Sequence, residues 1–154
     1  MYQQARFFIR TALVWLAIAI FVLALMLLNQ GFNIDARISA LQPVMYHLLM
    51  VGWGTQLIGG VALWMFPPFT KAQPRGNESL GWVTYVALNI GLALRLIAEP
   101  LNAITPSPVF AVMLAVSALL QVIAIWCLVF QLWPRVKERI TPLPEGKRPT
   151  KGGA

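Results

Sequence analysis

Charge is scarce in this sequence, and acidic charge scarcer still. Only 11% of the residues are charged, and 5 of 154 carry a carboxylate side chain. A soluble domain carries about a quarter charged residues, so this composition excludes a surface covered by water. Histidine and cysteine occur once each, as His47 and Cys127. A single cysteine excludes an intrachain disulfide and a cysteine metal cluster. There is no second histidine, no pair of carboxylates inside an apolar run and no glycine-rich phosphate loop. Hydrolytic and phosphate-handling sites are therefore excluded, and catalysis by this chain alone is not expected. No ladder of acidic residues crosses the apolar stretches, which argues against a self-sufficient proton-coupled transporter. The sequence also lacks an internal repeat.

What the chain has is hydrophobic length. Hydrophobic residues make up 58% of it, with a mean hydropathy of +0.70. Four stretches are long enough to cross a bilayer: about 11–29, 41–66, 79–99 and 109–133. A hydrocarbon core of about 30 Å needs roughly 20 helical residues. Backbone polar groups in lipid must be satisfied within the segment, which makes these stretches helices. The expected fold class is all-α, an integral membrane four-helix bundle over residues 1–134 with a basic tail at 135–154. Arg6 and Arg10 precede the first stretch. Its polar-free run, Ala12 to Leu28, exceeds a usual signal-peptide core and lacks a small-x-small cleavage site after it. It reads as an uncleaved anchor.

The basic residues orient these spans. Four crossings put the N-terminus, the second connection and the C-terminus on one side, with Arg6, Arg10, Lys71, Arg75, Arg135, Lys137, Arg139, Lys147, Arg148 and Lys151; the other side has Arg37 and Arg95. The bias predicts that both termini are cytoplasmic in a bacterial-type inner membrane. The net charge of +7 then belongs to residues that flank spans and meet anionic lipid headgroups. Membrane lipids are expected partners and nucleic acid is not.

Punctuation residues mark the connections. Pro43 suits the first turn of the second helix, and the adjacent Pro67 and Pro68 cannot continue it. Asn77 or Ser79 can cap the third helix, and Pro100 predicts its end at Glu99. The tail reads as disordered or as lying along a partner.

Few residues could carry chemistry. At α-helical spacing His47, Val51, Gly54, Ile58, Val61 and Met65 share a face, with Gly54 two turns from the histidine and shallow enough for a flat ligand. A second stripe holds Tyr46, Trp53, Gly60 and Trp64. Gly52 and Gly59 form a small-residue row where another helix can approach. His47 could be an interfacial polar residue, a hydrogen-bonded interior residue or an iron ligand. Met45 and Met50 are nearby candidates for a second axial ligand, as is His47 of a second copy. Arg95 sits one turn before Glu99, a spacing that lets the pair neutralise itself. It could also bind an anion such as a heme propionate or a lipid phosphate. Tyr85 and Asn89, and Ser117 and Gln121, are one-turn pairs suited to interhelical hydrogen bonds.

The stretch HLLMVGWGTQLIGGVALWMFP, from His47 to Pro67, resembles short four-helix membrane proteins related to subunit I of the heme-copper oxidase superfamily. LRLIAEP, from Leu94 to Pro100, looks like a second segment of that group. The resemblance implies that His47 is an axial ligand of a low-spin heme b and that Arg95 holds a propionate. The short relatives open His-x-His, where this sequence has Met45. The copper-ligating histidines of a full oxidase are absent, which puts copper and oxygen chemistry out of reach.

Two functions follow as expectations. One is a small accessory subunit of a respiratory or photosynthetic electron-transfer complex that binds one heme b through His47, with Gly54, Arg95 and Met50 around it. The other is a cofactor-free structural or assembly subunit that packs against larger membrane proteins, lipid or pigment. A homo-oligomer fits either.

Overall fold

A computed structural model describes residues 2–68 and 77–136. The cationic loop residues Lys71 and Arg75, and the tail from Lys137 onward, lie outside the described residues. Among those described, the chain is all helical: α1 (Gln3–Phe32), a 3-10 turn (Ala36–Leu41), α2 (Gln42–His47), a π-helical segment (Leu48–Thr55), α3 (Gln56–Met65), α4 (Glu78–Ile104) and α5 (Pro108–Leu132), closed by a 3-10 turn (Trp133–Arg135). The pieces from Ala36 to Met65 follow one another without a break as a single rod. That rod, α1, α4 and α5 with its final turn are each long and apolar enough to cross a membrane.

Local signals set most of the ends. The Asn77 side chain accepts from the Ser79 amide at 3.0 Å and caps α4. Ser107 caps α5, and Pro108 occupies its first turn, where a missing N–H costs nothing. Asn33 ends α1 in the left-handed conformation, with φ of 50°.

The expected end at Glu99 is corrected: α4 runs through Pro100 to Ile104. Proline removes one backbone hydrogen bond. Here the loss falls in the penultimate turn, and Thr105 closes the helix with both its amide and its hydroxyl on the Leu101 carbonyl.

Contacts define an up-down-up-down bundle. Gly52 abuts Trp15 and Leu92, Gly59 and Gly60 abut Phe8, and His47 meets Glu99, so the rod runs antiparallel to both α1 and α4. Ser117 bonds to Gly91, and Gln131 bonds to Asn77, so α4 and α5 are antiparallel as well. The core is Trp15, Ala19, Val22, Val44, Met45, Leu48, Leu88, Leu92 and Ala124. A Cβ on Gly60 would lie 2.8 Å from the Phe8 Cβ, and one on Gly52 2.9 Å from the Trp15 Cβ. These two glycines let α1 and the rod approach to a distance that any side chain would block.

Candidate functional site

At one end of the bundle α4 presents Arg95 and Glu99 on successive turns, and α2 brings His47 against them. Arg95 Nη1 donates to Glu99 Oε1 at 3.1 Å. The other carboxylate oxygen lies 3.8 Å from His47 Nδ1. The arginine and glutamate side chains are 15% and 16% exposed and the histidine 33%. Glu99 is thus the link between the two residues that the sequence singled out, a role its spacing from Arg95 did not reveal. Two atoms of the cluster, Arg95 Nε and Glu99 Oε2, are buried without a hydrogen-bond partner.

The imidazole is held by its own helix. His47 Nδ1 lies 2.8 Å from the Pro43 carbonyl. A carbonyl only accepts, so Nδ1 carries a proton, and in the neutral ring Nε2 keeps the lone pair. A backbone carbonyl is one of the groups, with carboxylates and water, that fix the tautomer of a metal-ligating histidine in this way.

The residues after His47 depart from α-helical spacing. Leu48–Thr55 is a π-helix, in which bonds run from i to i+5, and the Thr55 hydroxyl donates to the Met50 carbonyl at the same separation. The wider turn keeps Val44, Leu48, Gly52, Gln56 and Gly60 on one buried line, four residues apart. The α-helical faces drawn from the sequence are therefore not continuous. Ile58 and Met65 are 70% and 68% exposed on the first, while Gly60 is buried and Trp64 exposed on the second. A Cβ at Gly54 would meet only the Leu49 carbonyl, at 3.4 Å. Open space beside Gly54 is real, but two π turns span more residues than separate it from His47, so it is not directly below the ring.

His47 Nε2 has the chemistry of an iron ligand. Of the other residues expected around it, Met45 is buried in the core cluster, Met50 is 70% exposed, and Arg95 is paired with Glu99.

Several other polar residues of the long helices bind one helix to another. Thr11 and Tyr85 share a hydrogen bond of 2.8 Å, Trp15 Nε1 donates to Asn89 Oδ1 at 2.7 Å, and Ser117 donates to the Gly91 carbonyl at 2.6 Å. The opposite end of the bundle holds a polar clasp. Arg135 donates from Nε to the Pro67 carbonyl and from Nη2 to the Leu63 and Phe66 carbonyls, at 2.8 to 3.1 Å. Gln4 accepts from the Tyr2 hydroxyl and donates to the Glu78 carbonyl. Sequence reasoning assigned Arg135 to the tail, because a cation after Trp-Pro at the end of an apolar run reads as a boundary charge.

Gln56 was also missed. It is fully buried, with neither amide atom partnered. Its one sequence signal was an amide inside an apolar span.

Comparison with family models, with curated proteins and with solved structures yields no match to this chain. The oxidase resemblance rests on the residues quoted above.

Proposed function

We propose that this chain is an integral membrane subunit of an electron-transfer complex, one that acts by packing against larger membrane proteins and lipid rather than by catalysis. The observation that carries this reading is how the polar groups are used. The side chains of Thr11, Tyr85, Trp15, Asn89 and Ser117 are used in bonds between helices, and the outward faces are left apolar, with Phe21, Val109, Leu119 and Phe130 exposed. A helix surface of that kind is compatible only with lipid or with another apolar protein. The lysine and arginine bias supports cytoplasmic termini in an inner-membrane setting. The link to electron transfer is the oxidase resemblance.

Gentle solubilisation of native membranes followed by native mass measurement tests the reading. Larger membrane proteins are expected to accompany the chain in fixed ratio. A chain recovered free of any other protein from every mild detergent would overturn it.

A second reading is favoured by one observation, the Nδ1–H bond from His47 to Pro43 that leaves Nε2 available. In it His47 holds a heme b whose other axial ligand comes from another chain. The purified complex would then show a Soret band that His47→Ala abolishes. No band, or one indifferent to that substitution, removes this reading and leaves the first intact.

A further inference from the structure

We infer that two copies of this chain associate through the groove between α5 and the π-helical segment, with their Gln121 side chains bonded to each other across a twofold axis. The groove has a volume of about 250 Å³ and is lined by Val51, Gln121, Val122, Ile125 and Trp126. Its walls are apolar, and Trp126 is exposed and stacks on Phe130 with ring centroids 5.7 Å apart. Gln121 is the exception in this lining. It lies near the middle of α5 (Pro108–Leu132), at the depth farthest from water in a spanning helix.

The Gln121 amide is only partly satisfied. One N–H donates to Ser117 Oγ at 3.3 Å, and the Ser117 hydroxyl donates to the Gly91 carbonyl. The Gln121 carbonyl oxygen and second N–H have no partner among the described residues. Hydrocarbon supplies neither a donor nor an acceptor, so a mid-span amide left against lipid forfeits both bonds. A partner that recovers them offers both, at the same depth.

A second copy meets each requirement. A primary amide is at once donor and acceptor, so two of them form a reciprocal pair. A copy inserted in the same orientation carries its Gln121 at the same depth. A twofold axis along the membrane normal then closes the contact with the same patch on both sides. This inference rests on the membrane-spanning part of the proposed function and not on the packing against larger proteins, since a contact between two copies needs no third chain.

The test uses the full-length chain in lipid nanodiscs and in dilution series in a mild detergent, with association read by energy transfer between labelled copies. Wild type is expected to be dimeric. Gln121→Leu fills the same space without polar atoms and is expected to weaken association roughly 3- to 30-fold, the range for one interhelical polar contact. Gln121→Asn, which keeps an amide, is expected to be less affected. In a Cys127→Ala background, Val122→Cys is expected to give a disulfide-linked dimer in membranes, and Phe21→Cys, on the lipid face of α1, none. A monomeric wild type, a Gln121→Leu variant that associates as tightly as wild type, or equal cross-linking at both positions would each overturn the proposal.

Discussion

The Trp15 indole of α1 donates to the Asn89 side chain of α4 at 2.7 Å, and the Asn89 amide in turn donates to the Tyr85 carbonyl one turn earlier. The bond fixes the rotation of α1 against α4, since both donor and acceptor are held by their own helices. Thr11 and Tyr85 repeat the contact one turn away. Asn89→Leu and Trp15→Phe should each lower stability by about 0.6–2 kcal/mol, as interhelical polar contacts do. A double-mutant cycle on reversible unfolding in detergent should give a coupling of similar size. Additive effects would show that the bond carries no energy.

Arg135 should matter more. It is buried and closes the end of α3 with bonds to three carbonyls, and hydrogen bonds to charged groups contribute about 1.5–3 kcal/mol. Arg135→Ala should cost at least that much in thermal unfolding, and Arg135→Lys should recover only part, because an ammonium cannot reproduce the planar fork. A substitution to alanine without effect would mean that water replaces the guanidinium at no cost.

Gln56→Leu should do the opposite. The buried amide has no partner for either polar atom, and an unsatisfied buried group costs about 1–3 kcal/mol. The volume is nearly conserved, so the variant should unfold at a higher temperature than wild type. A lower midpoint would indicate that the Gln56 amide gains a hydrogen-bond partner in the folded protein.

The glycines of the rod should separate sharply. Gly60→Ala places a Cβ 2.8 Å from Phe8 and should destabilise by about 1–3 kcal/mol through overpacking. Gly54→Ala meets only the Leu49 carbonyl at 3.4 Å and should be close to neutral. Equal losses at both positions, measured by chemical denaturation, would show that the π-helical segment rather than helix approach sets the cost.

Glu99 joins His47 to Arg95. Glu99→Gln removes the charge on which both converge and should leave a guanidinium paired only with a neutral amide. Loss of a partly buried partner of this kind should cost a few kcal/mol. Glu99→Gln with Arg95→Gln should cost less than the sum of the two single changes, since the double variant leaves no unpaired charge.

What the sequence by itself determined is the set of helices and most of their ends. Apolar length sufficient to cross a membrane favours a helix whatever the neighbours do, because in lipid a backbone must be satisfied locally. Pro43 and Asn77 act within a turn of themselves, so their roles were legible; Ser107 and Pro108 act as locally but were not singled out. Even the Arg95–Glu99 pair could be read, because both residues lie on one helix at a spacing of four.

Only the tertiary structure decided which way each helix faces. When nearly every face of a helix is apolar, hydrophobic periodicity carries no direction. Packing therefore selected the line Val44, Leu48, Gly52, Gln56 and Gly60 over the α-helical faces drawn through His47. The π-helical register of Leu48–Thr55 was not legible in the sequence, where the stripes were drawn at α-helical spacing. The links from Glu99 to His47 and from Arg135 to the end of α3 join residues far apart in the chain, and only the bundle brings them together.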